Sequence, residues 1–250
     1  MSEKHNHDGH RDRMRKKYME YGAEIFEPHE MLEMLLYYAI PRKDTNKTAH
    51  ELINTFGSVS GVLDAPPHLL KNIGLSSNVI VLLKLIPDMM SMYLEERERD
   101  LRDKIMPDDM HEIFKCKFFG KTKEMLYLVL FDSKHNEIYN GLVSKGDLQH
   151  VNVDIRNICQ TALMYNARYA VISHNHLNGS VLPSYQDIFY TASVKEALAK
   201  VGVELVEHYI VAGNECLSFT NAGVLFSSVK EFEKSPLHDF YTVSDNKDQP

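Results

Sequence analysis

The chain has little cysteine, no excess of positive charge and no long apolar run. Cys116, Cys159 and Cys216 lie 43 and 57 residues apart with no CxxC pair, which argues against a disulfide framework and against a thiolate zinc cage. Buried free thiols are the expectation. Lys and Arg number 28 against 35 Asp and Glu, a net charge of −7. Neither part of the chain is basic, with 15 against 17 in residues 1–104 and 13 against 18 in residues 105–250. A broad phosphate-binding surface for nucleic acid is therefore not expected, although a small local patch stays open. The more apolar runs, residues 125–131 and 203–211, are far shorter than a bilayer span, and the polar start KHNHDGHRDR lacks the apolar core of a secretion signal. No membrane partner is expected, and the cytoplasm is the expected compartment. Internal repeats are missing, and low complexity is confined to the tail SDNKDQP.

What is present is a chain of 250 residues, 44% hydrophobic, enough to fill one large core or two modest ones. The charged run EERERDLRDK at 95–104, followed by Pro107-Asp108, reads as a linker or solvated helix end. It separates a first domain, residues 1–104, from a second, residues 105–250. In the first, Met31, Leu32, Leu35, Leu36 and Ala39 follow helical spacing, and Ala49, Leu52, Ile53 and Phe56 continue it up to Gly57. Pro66-Pro67, Asn72-Ile73-Gly74 and an apolar run at 79–86 then predict helix, tight turn, helix. The second alternates: strands at MLYLVLFD, EIYNGLVS, YAVISH, VELVEHYIVA and CLSF, with helices near 155–165 and 184–200. The fold class is an α/β (α+β) sheet-and-helix domain preceded by a small all-α domain.

Chemistry concentrates in AVISHNHLNGSVLPSYQDI, residues 170–188. On a strand, residues i and i+2 share a face, so His174 and His176 can present two imidazoles to one point, an arrangement that suits zinc. Asp187, eleven residues after His176, is a third ligand candidate, with water as a fourth. Ser184-Tyr185-Gln186-Asp187 equally fits a helix N-cap in which the serine oxygen accepts from an early backbone N–H. The N-terminal His5, His7 and His10 read as a polar tail of weak metal affinity.

His174-Asn175-His176, seven residues, then Ser184-Tyr185-Gln186-Asp187 resembles the JAMM (MPN+) zinc metalloprotease motif, and HNH before an Asn-Gly turn is similar to the RadC family. VDIRNICQTALMYNARYAVISHNH, VGVELVEHYIVAG and SFTNAG extend that resemblance through the C-terminal domain. The resemblance implies a Zn2+ ion on His174, His176 and Asp187, a peptide or isopeptide substrate, and a glutamate on an earlier strand. KTKEMLYLVLFD supplies Glu124 for that role; Glu137, past the SKHN turn, reads as a solvent-facing strand residue. Such an ion lowers the pKa of its water from about 15.7 to about 7. Glu124 would take and return the proton, and Ser184 would bind the developing oxyanion. Asp187 at a helix start is favoured as a carboxylate, so capping and ligation are compatible. One departure stands out: the family has Pro-Ser after HNH and this chain has Leu177-Asn178, which leaves the ligands in place and bears on loop rigidity and substrate fit. His208 matches a histidine that the family places on its strand, as a polar contact near the site or a satisfied core histidine. Arg156 would bind a carboxylate or partner, or form a plain salt bridge.

The first domain resembles the helical domain that precedes JAMM in RadC proteins, and LLKNIGLSSNVIVLL is similar to a degenerate helix-hairpin-helix. Such hairpins hold DNA backbone through G-x-G and a following basic residue. Here Asn72 replaces the first glycine, and Leu75-Ser76-Ser77-Asn78 carries no Lys or Arg. Asparagine tolerates left-handed geometry, which would let the turn form without the phosphate grip. The basic run Arg11, Arg13, Arg15, Lys16, Lys17 reads as a solvated helix face. The leading expectation is a zinc-dependent hydrolase. A DNA-associated repair or recombination accessory protein and a noncatalytic zinc scaffold are the alternatives. A zinc deaminase would need H-x-E with P-C-x-x-C, and the letters HNH do not make an HNH nuclease.

Overall fold

The apolar spacing of residues 31–56 folds into the helices it predicts. In the computed structural model, which describes residues 6–41, 43–102, 104–146 and 151–238, α1 (Asn6–Tyr21) and α2 (Pro28–Leu36) lead to α3 (Asn46–Phe56), α4 (Val59–Asp64), α5 (Pro67–Asn72) and α6 (Ser77–Asp100). Pro28 opens α2, where a missing N–H costs nothing because the first turn has no intrahelical acceptor. Gly57 closes α3 at φ 82°, the left-handed cap that suits a residue without Cβ. Leu32, Leu36, Leu52, Leu70 and Leu83 meet in one buried cluster. His5 and the tail 244–250 lie outside the described residues.

Three expectations need adjustment here. The α5–α6 turn forms, but Asn72 stays in the helix and Gly74 takes the left-handed step at φ 88°. One glycine is enough because it meets no Cβ clash there. Secondly, α6 is long and apolar enough to cross a membrane by length and composition, which the short apolar runs did not suggest. Val79 and Leu83 nevertheless fill the helical core, and Lys84 and Asp88 interrupt the helix's apolar surface. Thirdly, packing divides the chain into units of residues 1–90 and 91–250, so the charged run belongs with the second unit. Ion pairs explain why: Glu95 meets Lys117 at 3.0 Å, Arg99 meets Glu137 at 2.9 Å and Arg102 meets Asp109 at 2.7 Å.

The second unit continues with α7 (His111–Phe118), β1 (Met125–Phe131), β2 (Glu137–Lys145), α8 (Val151–Met164), β3 (Tyr169–Asn175), α9 (Tyr185–Lys200), β4 (Glu204–Ala212), β5 (Glu215–Ser218) and α10 (Val229–Glu233). The sheet runs β2-β1-β3-β4-β5. Only β3 and β4 pair in parallel among these strands, with α9 as the crossover between them. Helices cover both faces, so β1 and β3 are apolar without alternation. Leu126, Leu128, Leu130 and Ile172 pack toward Val194 and Leu198 of α9, while Val129, Val171 and Tyr209 pack toward Ile113 and Phe114 of α7. Together the two units are a helical region followed by a mixed α/β domain. The three cysteines are unpaired and partly buried, and burial pushes the Cys216 thiol up to about 12.

Candidate metal centre

Strand alternation places His174 on the same face as Ala170 and Ile172, the face covered by α9. His176 follows just past the end of β3, where its N–H donates to Val211 O at 2.9 Å and keeps the chain beside β4. Asp187 arrives from the first turn of α9. His174 Nε2 lies 3.0 Å from His176 Nε2 and 3.2 Å from Asp187 Oδ1, and His176 Nε2 lies 3.4 Å from Asp187 Oδ2. The three ligand atoms can hold a metal ion, all lying within 4.8 Å of one another.

The surrounding hydrogen bonds decide which ring nitrogens carry protons. His176 Nδ1 sits 2.8 Å from the carbonyl oxygen of Ser180; a carbonyl only accepts, so Nδ1 holds the hydrogen and Nε2 keeps its lone pair. On the other side, Thr191 Oγ1 donates to Asp187 O at 2.6 Å and lies 2.6 Å from His208 Nδ1. His208 Nε2 in turn lies 2.7 Å from His174 Nδ1. Two nitrogen lone pairs and a carboxylate crowded together repel one another unless a cation sits among them. This donor set, neutral imidazoles with one carboxylate, is the chemistry zinc takes.

The same groups are electrostatically coupled. Burial opposes ionisation of Asp187, yet its contacts with His174 and His176 outweigh that and hold its carboxyl well below the usual carboxylate range. His176 is raised, first by the Asp187 hydrogen bond, with Glu124 adding a smaller attraction. His208 is fully buried and held well below the ordinary histidine value by loss of solvent.

The helix cap and the candidate metal ligand coincide at the start of α9. Ser184 Oγ accepts from Asp187 N at 3.1 Å and donates to Asp187 Oδ2 at 2.6 Å, while Ser184 N donates to the same oxygen at 2.7 Å. The serine hydrogen expected to serve an oxyanion is thus committed to the aspartate. The loop carrying Leu177 and Asn178 is closed by Asn178 Oδ1, which accepts from Ser180 N at 3.0 Å, and by Gly179 at φ 78°. That turn aims the Ser180 carbonyl at His176.

Glu124 is half-buried immediately before β1. Register puts Leu126 opposite His174, so Glu124 enters beside the histidines. Glu137 stands at the other end of β1, opposite Phe131, about 20 Å away at strand rise. It is occupied by Arg99 at 2.9 Å and Asn140 at 3.2 Å. Arg156 is exposed on α8. Two site residues escaped sequence reasoning. Asn175, between the histidines, accepts from Met125 N at 2.8 Å and donates to Lys123 O at 3.1 Å. Thr191 is one helical turn after Asp187, a spacing that could have flagged it.

Residues 105–224 match the family model described as RadC-like JAB domain. A UPF0758 protein of Fusobacterium nucleatum subsp. nucleatum is 34% identical over 233 residues, covering 90% of this chain and 100% of that protein. A UPF0758 protein of Burkholderia thailandensis is 30% identical over 216 residues, covering 85% and 82%. One of Ruegeria pomeroyi is 31% identical over 219 residues, covering 86% and 97%.

Proposed function

Since the chain belongs to the UPF0758/RadC family and carries a RadC-like JAB domain, we propose that it is a zinc-dependent hydrolase of peptide or isopeptide bonds. The observation that carries this reading is the convergence of two Nε2 atoms and a carboxylate, with outer hydrogen bonds that keep the nitrogen lone pairs turned inward. His174, His176 and Asp187 would hold the ion. When bound, zinc supplies the Lewis acidity that makes water nucleophilic at neutral pH.

The remaining steps belong to the chain's own groups. Glu124 takes a proton from the attacking water and delivers it to the leaving amine. Ser184 turns its hydroxyl from Asp187 Oδ2 toward the substrate carbonyl oxygen as negative charge builds there. Three unpaired cysteines support a reducing compartment such as the cytoplasm. The DNA-associated reading has no comparable support, because Leu75-Ser76-Ser77-Asn78 after the hairpin turn offers phosphate no cation.

Metal analysis of the wild type, His176→Ala and Asp187→Ala, purified without chelator, tests the proposal alongside a panel of peptide and isopeptide substrates. One zinc per wild-type chain, lost in both variants together with hydrolysis, is expected. A zinc-free wild type would sink the reading.

A further inference from the structure

We infer that His208 and Thr191 form a positioning relay that presets His174 as a metal ligand and ties the strand ligand to the helix ligand; the ligand role rests on the zinc reading above. The path runs from His174 Nδ1 to His208 Nε2 at 2.7 Å, from His208 Nδ1 to Thr191 Oγ1 at 2.6 Å, and from Thr191 Oγ1 to Asp187 O at 2.6 Å. It begins on one ligand and ends on the backbone of another. Both ring nitrogens of His208 are spent on it.

The direction of the path follows from its last member. A backbone carbonyl accepts only, so Thr191 gives its single hydrogen to Asp187 O and must accept from His208 Nδ1–H. A neutral His208 then has a lone pair at Nε2, which accepts from His174 Nδ1–H. His174 is left with its lone pair at Nε2, facing His176 and Asp187. The reverse arrangement needs an imidazolium at position 208. That ring is fully buried and stacks on Phe219 with centroids 4.3 Å apart, surroundings that oppose a charge. A free imidazole samples two tautomers and many orientations, whereas this path selects one of each before any ion arrives.

A structural role alone would not require this order of donors. Residue 208 pairs in register with Ile172, and the neighbouring strand residues Leu126, Leu128, Ala170 and Ile172 on that face are aliphatic. An aliphatic residue would fill that place without burying two polar nitrogens. Thr191 follows Asp187 by one helical turn, so the helix that presents the carboxylate also presents the end of the relay.

The test measures zinc affinity by competition with a chromogenic chelator, together with thermal unfolding of the metal-free proteins. Thr191→Val keeps the shape and removes the hydroxyl; it should weaken zinc binding by about 10–100-fold, with Thr191→Ser staying within about threefold of wild type. An affinity for Thr191→Val within about threefold of wild type, whatever its metal-free melting point, overturns the relay and leaves the hydrolase reading standing. Should the valine variant not fold, nitrogen-15 NMR of metal-free wild type decides: a proton on Nδ1 of His174 is expected, and a proton on Nε2 overturns the relay. A wild type that binds no zinc removes the hydrolase reading and the ligand role with it, even if the Nδ1 tautomer is observed.

Discussion

Asn175 holds the chain on both sides of Glu124. Its Oδ1 accepts from Met125 N at 2.8 Å and its Nδ2 donates to Lys123 O at 3.1 Å. The side chain between the two histidines therefore aims the carboxylate proposed to act beside them. Asn175→Ala should retain zinc and lose turnover. Leaving the buried Met125 N–H without its acceptor should also cost about 1–3 kcal/mol of stability. Zinc content, denaturant midpoint and initial rate on one preparation separate these effects.

Glu124→Gln keeps the shape and removes the base. Turnover should fall by about 10²–10⁴-fold with zinc stoichiometry unchanged. Equal rates for the two proteins would take Glu124 out of the mechanism while leaving the metal site intact.

Chelation should lower the melting temperature of wild type and leave Asp187→Ala unmoved. With free zinc at about a hundred times its dissociation constant, binding adds about 2.7 kcal/mol. Differential scanning fluorimetry with and without chelator reads the difference.

In the metal-free protein the His176–Asp187 contact sets a pH window. Asp187 is depressed in the folded state, so its contribution is present above the unfolded value of 3.8 and is lost as pH falls through the folded value. His176 is raised, so its contribution is complete below the unfolded value of 6.5 and is lost as pH rises through the folded value. The His176 share of metal-free stability should therefore be greater at about pH 5 than at about pH 8, while His208, held low by burial, works in the opposite direction. Zinc affinity should rise with pH, because the ion competes with the His176 proton. Urea midpoints of wild type and His176→Gln at both pH values check the first statement: the advantage of wild type over the variant should be larger at the lower pH.

Ser184→Ala removes an N-cap and a hydrogen bond to Asp187. Loss of the cap alone should cost about 1 kcal/mol of stability. If the hydroxyl also serves the oxyanion, turnover should drop by about 10²–10³-fold, with substrate affinity little changed. A stability loss with full turnover would restrict Ser184 to capping.

Much of this was legible in the chain. Two histidines at i and i+2, the Ser-x-x-Asp helix start and Glu124 before an apolar strand are local patterns, and each lies where local geometry put it. The charged run at 95–104 does contain a helix end, but it packs with the second unit through ion pairs to Lys117, Glu137 and Asp109, partners that no local pattern reveals. Helix α7, too short to display a helical period, passed unnoticed.

What the sequence by itself determined was the candidate ligand set, since strand alternation and helix capping act over a few residues. Tertiary structure alone decided which second residues hold those ligands. His208 reaches His174 through the β3–β4 register, and Asn175 reaches the flanks of Glu124 through the β1–β3 register. Register is set by how whole strands bury their apolar faces against α7, α8 and α9. The direction of each hydrogen bond then follows from burial, because a polar group shut away from water takes whatever donor or acceptor the packing leaves beside it.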